Sequence, residues 1–347
     1  MATTAERRER IRRAIAAARV EAIRRREGAA AAVQGVYGRL ADQLADWLAD
    51  RALEDGSVPP EALAAFEPVL DQLLAEHARR WGRELDQALA GVLDLTRPLR
   101  ADPLAPNHVE RTLRWLFDYT GSDGLQLSDR IWRVNRATKD TITRTIQNAI
   151  IRGDTARQAA QRLIAEGKAV PADVKVTIRN AAGQVISRHT REALMAGEGN
   201  PLRNALRVMR TEINRAFTES FVSSVFEQED VAAVKFNLSP LHPRFDVCDL
   251  HARANLHGMG PGVYPQGKHP YPAHPETLSF LTVVFNDEIT DEDRAGQQTP
   301  ADWLRGQPAQ QQDAILGKNK GALFRDGRLQ ESELFATWAQ VRARIGE

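Results

Sequence analysis

A chain of 347 residues, 42% hydrophobic and 27% charged with a formal net charge of +1, has the composition of an ordinary globular protein and can bury one large core or two smaller ones. No run approaches the ~20 apolar residues that span a bilayer, so no membrane partner is expected. One cysteine, Cys248, excludes an internal disulfide. The opening MATTAERRERIRR is basic with no apolar stretch behind it, which predicts a protein without a secretory signal. The expected setting is a cytosol, or a larger assembly loaded from one.

Charge is uneven at the start. Arg7, Arg8, Arg10, Arg12, Arg13, Arg19, Arg24, Arg25 and Arg26 stand against Glu6, Glu9, Glu21 and Glu27. Arg7–Arg26 reads either as an arm that neutralises nucleic-acid phosphates or as a solvated helix laced with Glu–Arg pairs. The periodic stripe Val36, Leu40, Leu44, Trp47 and Leu48 predicts a helix, ended by the turn EDGS (54–57). Pro59-Pro60 opens a second helix, with Phe66, Leu70, Leu73 and Trp81 on one face. LTRPLRADPLAPN (95–107) holds three prolines and no period, so it reads as a connection. Asn107 with Glu110 has capping-box spacing and starts a short helix through Leu116.

From 127 the stripe Ile131, Val134, Thr138, Ile142, Ile146 and Ile150 predicts a long helix stopped at Gly153, with a further helix through Ala160, Leu163 and Ile164. Its outer residues, Arg130, Arg133, Arg136, Lys139, Arg144 and Arg152, outnumber Asp129 and Asp140 and mark either an acidic partner or a solvated face. VKVTIRNAAGQVIS (174–187) switches to a period of two around a glycine turn, a β-hairpin pattern. Pro201 starts another helix, with Leu202, Leu206, Met209, Ile213, Phe217, Phe221 and Val225 inward. Arg210 and Glu212 are two apart on it and face different ways, so each is expected to tie the helix to a separate neighbour.

AVKFNLSP and FLTVVFN then read as strands. Between them lie Cys248, six prolines and five of the eight histidines: His242, His251, His257, His269 and His274. A loop this long and irregular needs a fastener or a function. The acidic run DEITDED (287–293) reads as a solvated linker. Thr299-Pro300-Ala301-Asp302 caps a helix, Gly317 stops another, RDG (325–327) turns, and Leu334, Phe335, Trp338, Val341 and Ile345 line a last helix. The predicted fold is mainly α with a small α+β module. Its parts are a helical region with the Arg-rich arm (1–105), a helical body with the hairpin (106–231), the module (232–290) and a helical tail (291–347).

The cluster supports several chemistries. Cys248 and His251, three apart, can converge on one ion; His274 or His269 can close the site, with Asp246, Asp249 or His242 as a fourth donor. Thiolate with imidazole suits zinc better than calcium or magnesium. A metal-dependent nuclease or other hydrolase can be drawn with Asp246, His251 and His274, although no DH or HH pair opens a strand. A nucleophilic Cys248 with His251 as base lacks an orienting third residue. A hydrogen-bonded loop without metal is the remaining reading.

Four stretches resemble the Mu F-type phage head morphogenesis family, the minor head proteins that accompany the portal. They are LSDRIWRVNRATKDTITRTIQNAIIRGDTARQAAQRL (127–163), RVMRTEINRAF (207–217), KFNLSPLHPRFDVCDLHARANLHGMGPGVYP (235–265) and DWLRGQPAQQQDAILGKNKGALFRDGRL (302–329). Residues 1–105 carry no signature of the family. In many relatives the loop holds Cys-x-x-Cys early and His-Pro-x-Cys-x-Cys late, a zinc-like set. Here His251 stands for the second early cysteine, and AHPETLSF puts Thr277 and Ser279 where the late ones would fall. The resemblance implies a non-enzymatic, low-copy head component that binds the portal and internal shell or scaffold surfaces and aids assembly and DNA packaging and delivery. It also implies a place inside the virion head and zinc as the cofactor if the loop binds one; the arginines of Arg7–Arg26 are the candidate contact with packaged DNA.

Overall fold

Proline-free sequence rich in alanine and arginine, both strong helix formers, makes helix α1 run unbroken from Thr4 to Ala49. The computed structural model describes residues 3–51, 60–102, 108–121, 124–151, 188, 191–196, 199–242 and 244–346. After α1 come α2 (Pro60–Asp94), a 3-10 turn (Arg97–Leu99), α3 (His108–Asp118), α4 (Leu127–Ile151) and α5 (Pro201–Val225). Strand β1 (Val231–Asn237), α6 (Val247–Arg253), β2 (Val263–Tyr264) and β3 (Phe280–Phe285) follow. The tail holds α7 (Asp291–Ala295), α8 (Pro300–Arg305), α9 (Ala309–Leu316), α10 (Lys318–Arg325) and α11 (Trp338–Ile345). The protein is thus mainly α with one small antiparallel sheet, the fold class that the periodicities predict. The 174–187 hairpin, the EDGS turn, the Asn107 cap, and the Gly153 stop with the helix after it lie outside the described residues.

The chain divides into two compact units. One comprises Met1–Ile23, Val92–Thr112 and Asn214–Glu347, the other Arg24–Gly91 and Leu113–Ile213. The second is helical. Val36, Leu40 and Leu44 of α1, Phe66, Leu70 and Trp81 of α2, Val134 and Ile142 of α4, and Met209 and Ile213 of α5 are buried there at the spacings read from sequence. Several of its polar groups are paired. The Trp81 indole donates to Asn135 Oδ1 at 2.9 Å, and Thr138, the hydroxyl member of the α4 stripe, donates to the Val134 carbonyl and meets the Tyr37 hydroxyl at 3.2 Å. Arg210 reaches Glu27 of α1 at 3.1 Å, and Glu212 accepts from Arg130 of α4 at 3.2 Å, so these two residues do tie α5 to separate neighbours.

In the first unit the sheet order is β2-β1-β3, all antiparallel, with Lys235 opposite both Val263 and Thr282. Alternation sends Val234, Phe236, Leu281, Val283 and Phe285 to one face. There they form a core with Ile11 and Ile15 of α1 and Phe221, Val222 and Val225 of α5. Ala233, Val263 and Val284 make a thinner apolar layer on the other face. Leu250 and Ala254 of α6 bury against Ala301, Trp303, Leu304, Leu316 and Leu334 of the tail.

Two expectations change here. The 287–293 run is exposed to solvent as expected, but it is not a plain linker. It forms a 3-10 turn (Asn286–Glu288) and α7, which Thr290 caps, and Asp287 and Glu288 are engaged. Arg8 bridges Asp230 at 2.9 Å and Asp287 at 2.8 Å, Arg7 reaches Asp230 at 2.7 Å, and Arg12 holds Glu288. Docking of Ile11 and Ile15 in the core brings opposite charges together, so these three arginines spend their field on the protein's own carboxylates. The last helix begins at Trp338 rather than Leu334, because Thr337 caps it through the Gln340 backbone N–H at 3.3 Å and leaves Leu334 and Phe335 ahead of it.

Candidate functional site

The histidine and cysteine cluster is organised by α6. Asp246 is its N-cap and accepts from the Cys248 backbone N–H at 2.7 Å, while Asp249 reaches back to the Asp246 N–H at 3.0 Å. This reciprocal box satisfies donors that a helix start otherwise leaves open. Asp249 does more: its carboxylate, 2% exposed, also takes His242 Nε2 at 2.9 Å and Arg253 at 3.1 Å. One buried carboxylate thus clasps the chain entering α6, the cap and the end of the helix.

On the far side of the loop, His274 Nδ1–H donates to the Pro275 carbonyl at 2.8 Å. Its Nε2 faces the Asp246 carboxylate, 3.4 Å away. The Cys248 thiol is fully buried and meets Thr277 Oγ1 at 3.5 Å. Burial pushes its pKa up to about 11, so at neutral pH it is a thiol and no nucleophile.

The donor atoms of Asp246, Cys248 and His274 lie within 4.8 Å of one another, and those of His242, Asp246 and Asp249 form a second such group. His251 and His269 join neither among the described residues. His251 turns the other way. Its ring stacks on Phe335 at 5.9 Å, and its Nδ1 meets the Tyr264 hydroxyl at 3.2 Å while that hydroxyl donates to the His251 carbonyl. Burial there pulls its pKa down to about 4, so it stays neutral. His269 sits 3.8 Å from Glu219 of α5, where burial lowers the imidazole and raises the carboxyl to about 7. His257 packs edge-on against Tyr264. The reading from sequence did not single out Tyr264, Arg253 or Glu219. Only Arg253 left a signal, four residues beyond Asp249 on one helix.

Carboxylate, thiol and imidazole are donors that zinc accepts, and Asp246, Cys248 and His274 are the residues that would hold it. The side beside Cys248 is closed by the hydroxyls of Thr277 and Ser279 rather than by further thiols. A zinc ion would have to displace the thiol proton. Each arm of the loop meanwhile carries its own hydrogen bonds: His242 to Asp249, His251 to Tyr264, and His274 to Pro275. Treatment with EDTA is therefore expected to leave the thermal midpoint unchanged, with Cys248→Ser behaving like wild type. A drop of several degrees on chelation, absent in Cys248→Ser, would instead make the ion a structural fastener.

Compared along its length, the chain matches no family model, no curated protein and no solved structure, so what this site does rests on its own residues.

Proposed function

We propose that this chain is a minor head protein of the Mu F type, a low-copy component that binds the portal and internal head surfaces, in the virion head after assembly in the bacterial cytoplasm. The observation that carries the reading is the order of the four signature-like stretches. Support also comes from where the early and late parts of the histidine-rich loop meet. Cys248 from the early half lies against Thr277, one of the two positions at which relatives have late cysteines. A module whose early and late halves close on one another is what the resemblance implies, with hydroxyls in place of thiols.

The non-enzymatic reading is favoured over a nuclease by how the cluster's groups are used. His242 is committed to Asp249, His251 is buried and stacked, and the Cys248 thiol is held protonated. A general base has to reach a substrate proton, and none of these three can without breaking a contact that holds the loop. His274 beside Asp246 is the one pair open to solvent among the cluster's described members.

Co-expression with the portal subunits of the same phage is expected to yield a complex that survives size-exclusion chromatography. Repeated failure to recover it, with both proteins folded, would overturn the head reading. Nucleic-acid cleavage by the purified protein with magnesium, manganese or zinc, lost in His274→Ala, would put the hydrolase in its place.

A further inference from the structure

The sheet has an open border. In the order β2-β1-β3, β3 is an edge strand. The Phe236 N–H donates to the Gly262 carbonyl at 2.7 Å, so Val234 and Phe236 turn their backbone groups toward β2, and Ala233, Lys235 and Asn237 turn theirs toward β3. The register pairs those three with Val284, Thr282 and Phe280. Leu281 and Val283 therefore aim N–H and C=O outward, where no partner receives them among the described residues. Each is only 5% exposed. Buried backbone groups are almost always hydrogen-bonded, and these have no partner among the described residues.

A cavity of about 520 Å³ runs along this border, within the range of built ligand sites. One wall is β3 from Phe280 to Val284, and another is a single face of α1 with Arg12, Ile15, Ala16 and Arg19; Lys235 of β1, the Met259–Pro261 turn and Val263 of β2 carry the cavity on across the sheet. The charges do not cancel. Arg12 is held by Glu288, and Lys235 interacts with Asp293. Arg19 has no carboxylate among the described residues. Its guanidinium lies on the Phe280 ring, 3.3 Å from the centroid, and burial pulls its pKa below the ordinary range. Tyr271 also interacts with it; a cation without a carboxylate, beside a strand edge without a partner among the described residues, calls for a ligand with both a carboxylate and a peptide backbone.

We propose that this groove receives an extended acidic peptide segment of a partner protein, which adds as a fourth strand beside β3, pairs with the backbone of Leu281 and Val283, and places a carboxylate on Arg19. Edge strands are templates for such addition, with main-chain bonds giving affinity and flanking side chains giving selectivity. The inference does not depend on the head reading: it rests on the border of β3 and the charge of Arg19, and its test involves no portal subunit.

The test uses the full-length, isotope-labelled protein and two acetylated, amidated pentapeptides, Val-Thr-Val-Asp-Val and Val-Thr-Val-Lys-Val, followed by amide NMR and hydrogen exchange. The acidic peptide is expected to shift the Leu281 and Val283 amides, slow their exchange, and bind at least ten-fold tighter than the lysine peptide. In Arg19→Ala the preference between the two peptides should vanish while the Leu281 and Val283 changes persist, which a merely structural Arg19 would not produce. No binding at millimolar peptide overturns the proposal, as does equal binding of both peptides to wild type. Acetate reproducing the same shifts at the same concentration would make the groove a small-anion site and overturn it too.

Discussion

Gly262→Ala is expected to destabilise the strand module by about 3 kcal/mol or more, combining left-handed strain with a backbone clash. Gly262 has φ of +73°, where a side chain is already strained. A Cβ there would also stand 2.5 Å from the Ala252 carbonyl oxygen and 3.0 Å from that of Phe236. Both are main-chain atoms and cannot swing aside. Gly262 accepts the Phe236 N–H and donates to the Ala254 carbonyl, so it is the point where β1 and the end of α6 are pinned together. Gly267→Ala is the control, with the same φ of +73° but nothing within 4 Å of the added carbon. Its cost should be the conformational part alone, roughly 1 kcal/mol. Urea unfolding followed by Trp fluorescence separates the two variants. Equal midpoints would show that crowding at Gly262 contributes nothing.

Asp249→Ala should cost a similar amount, about 3 kcal/mol, because a buried carboxylate with charged partners is removed and their groups stay behind. The substitution leaves the Asp246 N–H without its acceptor and takes the carboxylate from His242 and Arg253. Asp246→Ala, which loses an N-cap on a part-exposed helix start, should cost nearer 1 kcal/mol. A double-mutant cycle of Asp249→Ala with His242→Ala is expected to show coupling, since the two groups meet at 2.9 Å. If Asp249→Ala unfolded within a few tenths of a kcal/mol of wild type, the clasp would not hold the loop.

These effects show how far the sequence reaches. Asp246 and Asp249 stand three apart, and their cap is local, yet the reading of them was as spare metal donors. Nothing within a helical turn reveals that His242 closes onto Asp249. For His251 the three-residue spacing to Cys248 pointed to convergence. The ring goes instead to Tyr264 and Phe335, the latter 84 positions away, because an imidazole is also a flat apolar surface. Gly262 shows the same limit: its glycine is visible, but the two carbonyls that require it belong to α6 and β1.

By itself the sequence determined the long helices, the two longer strands and the starts at Pro201 and Thr299, though not the short helices α6 and α7, because period, proline placement and capping act within about one turn of chain. It also determined that thiol and imidazoles gather between 242 and 274. Only the tertiary structure decided which of them meet: Cys248 with Thr277 at a separation of 29 residues, and Arg8 with Asp287 at 279. Those pairings follow from how the sheet stacks on α1 and α5, and a contact between distant residues leaves no periodic trace in either segment.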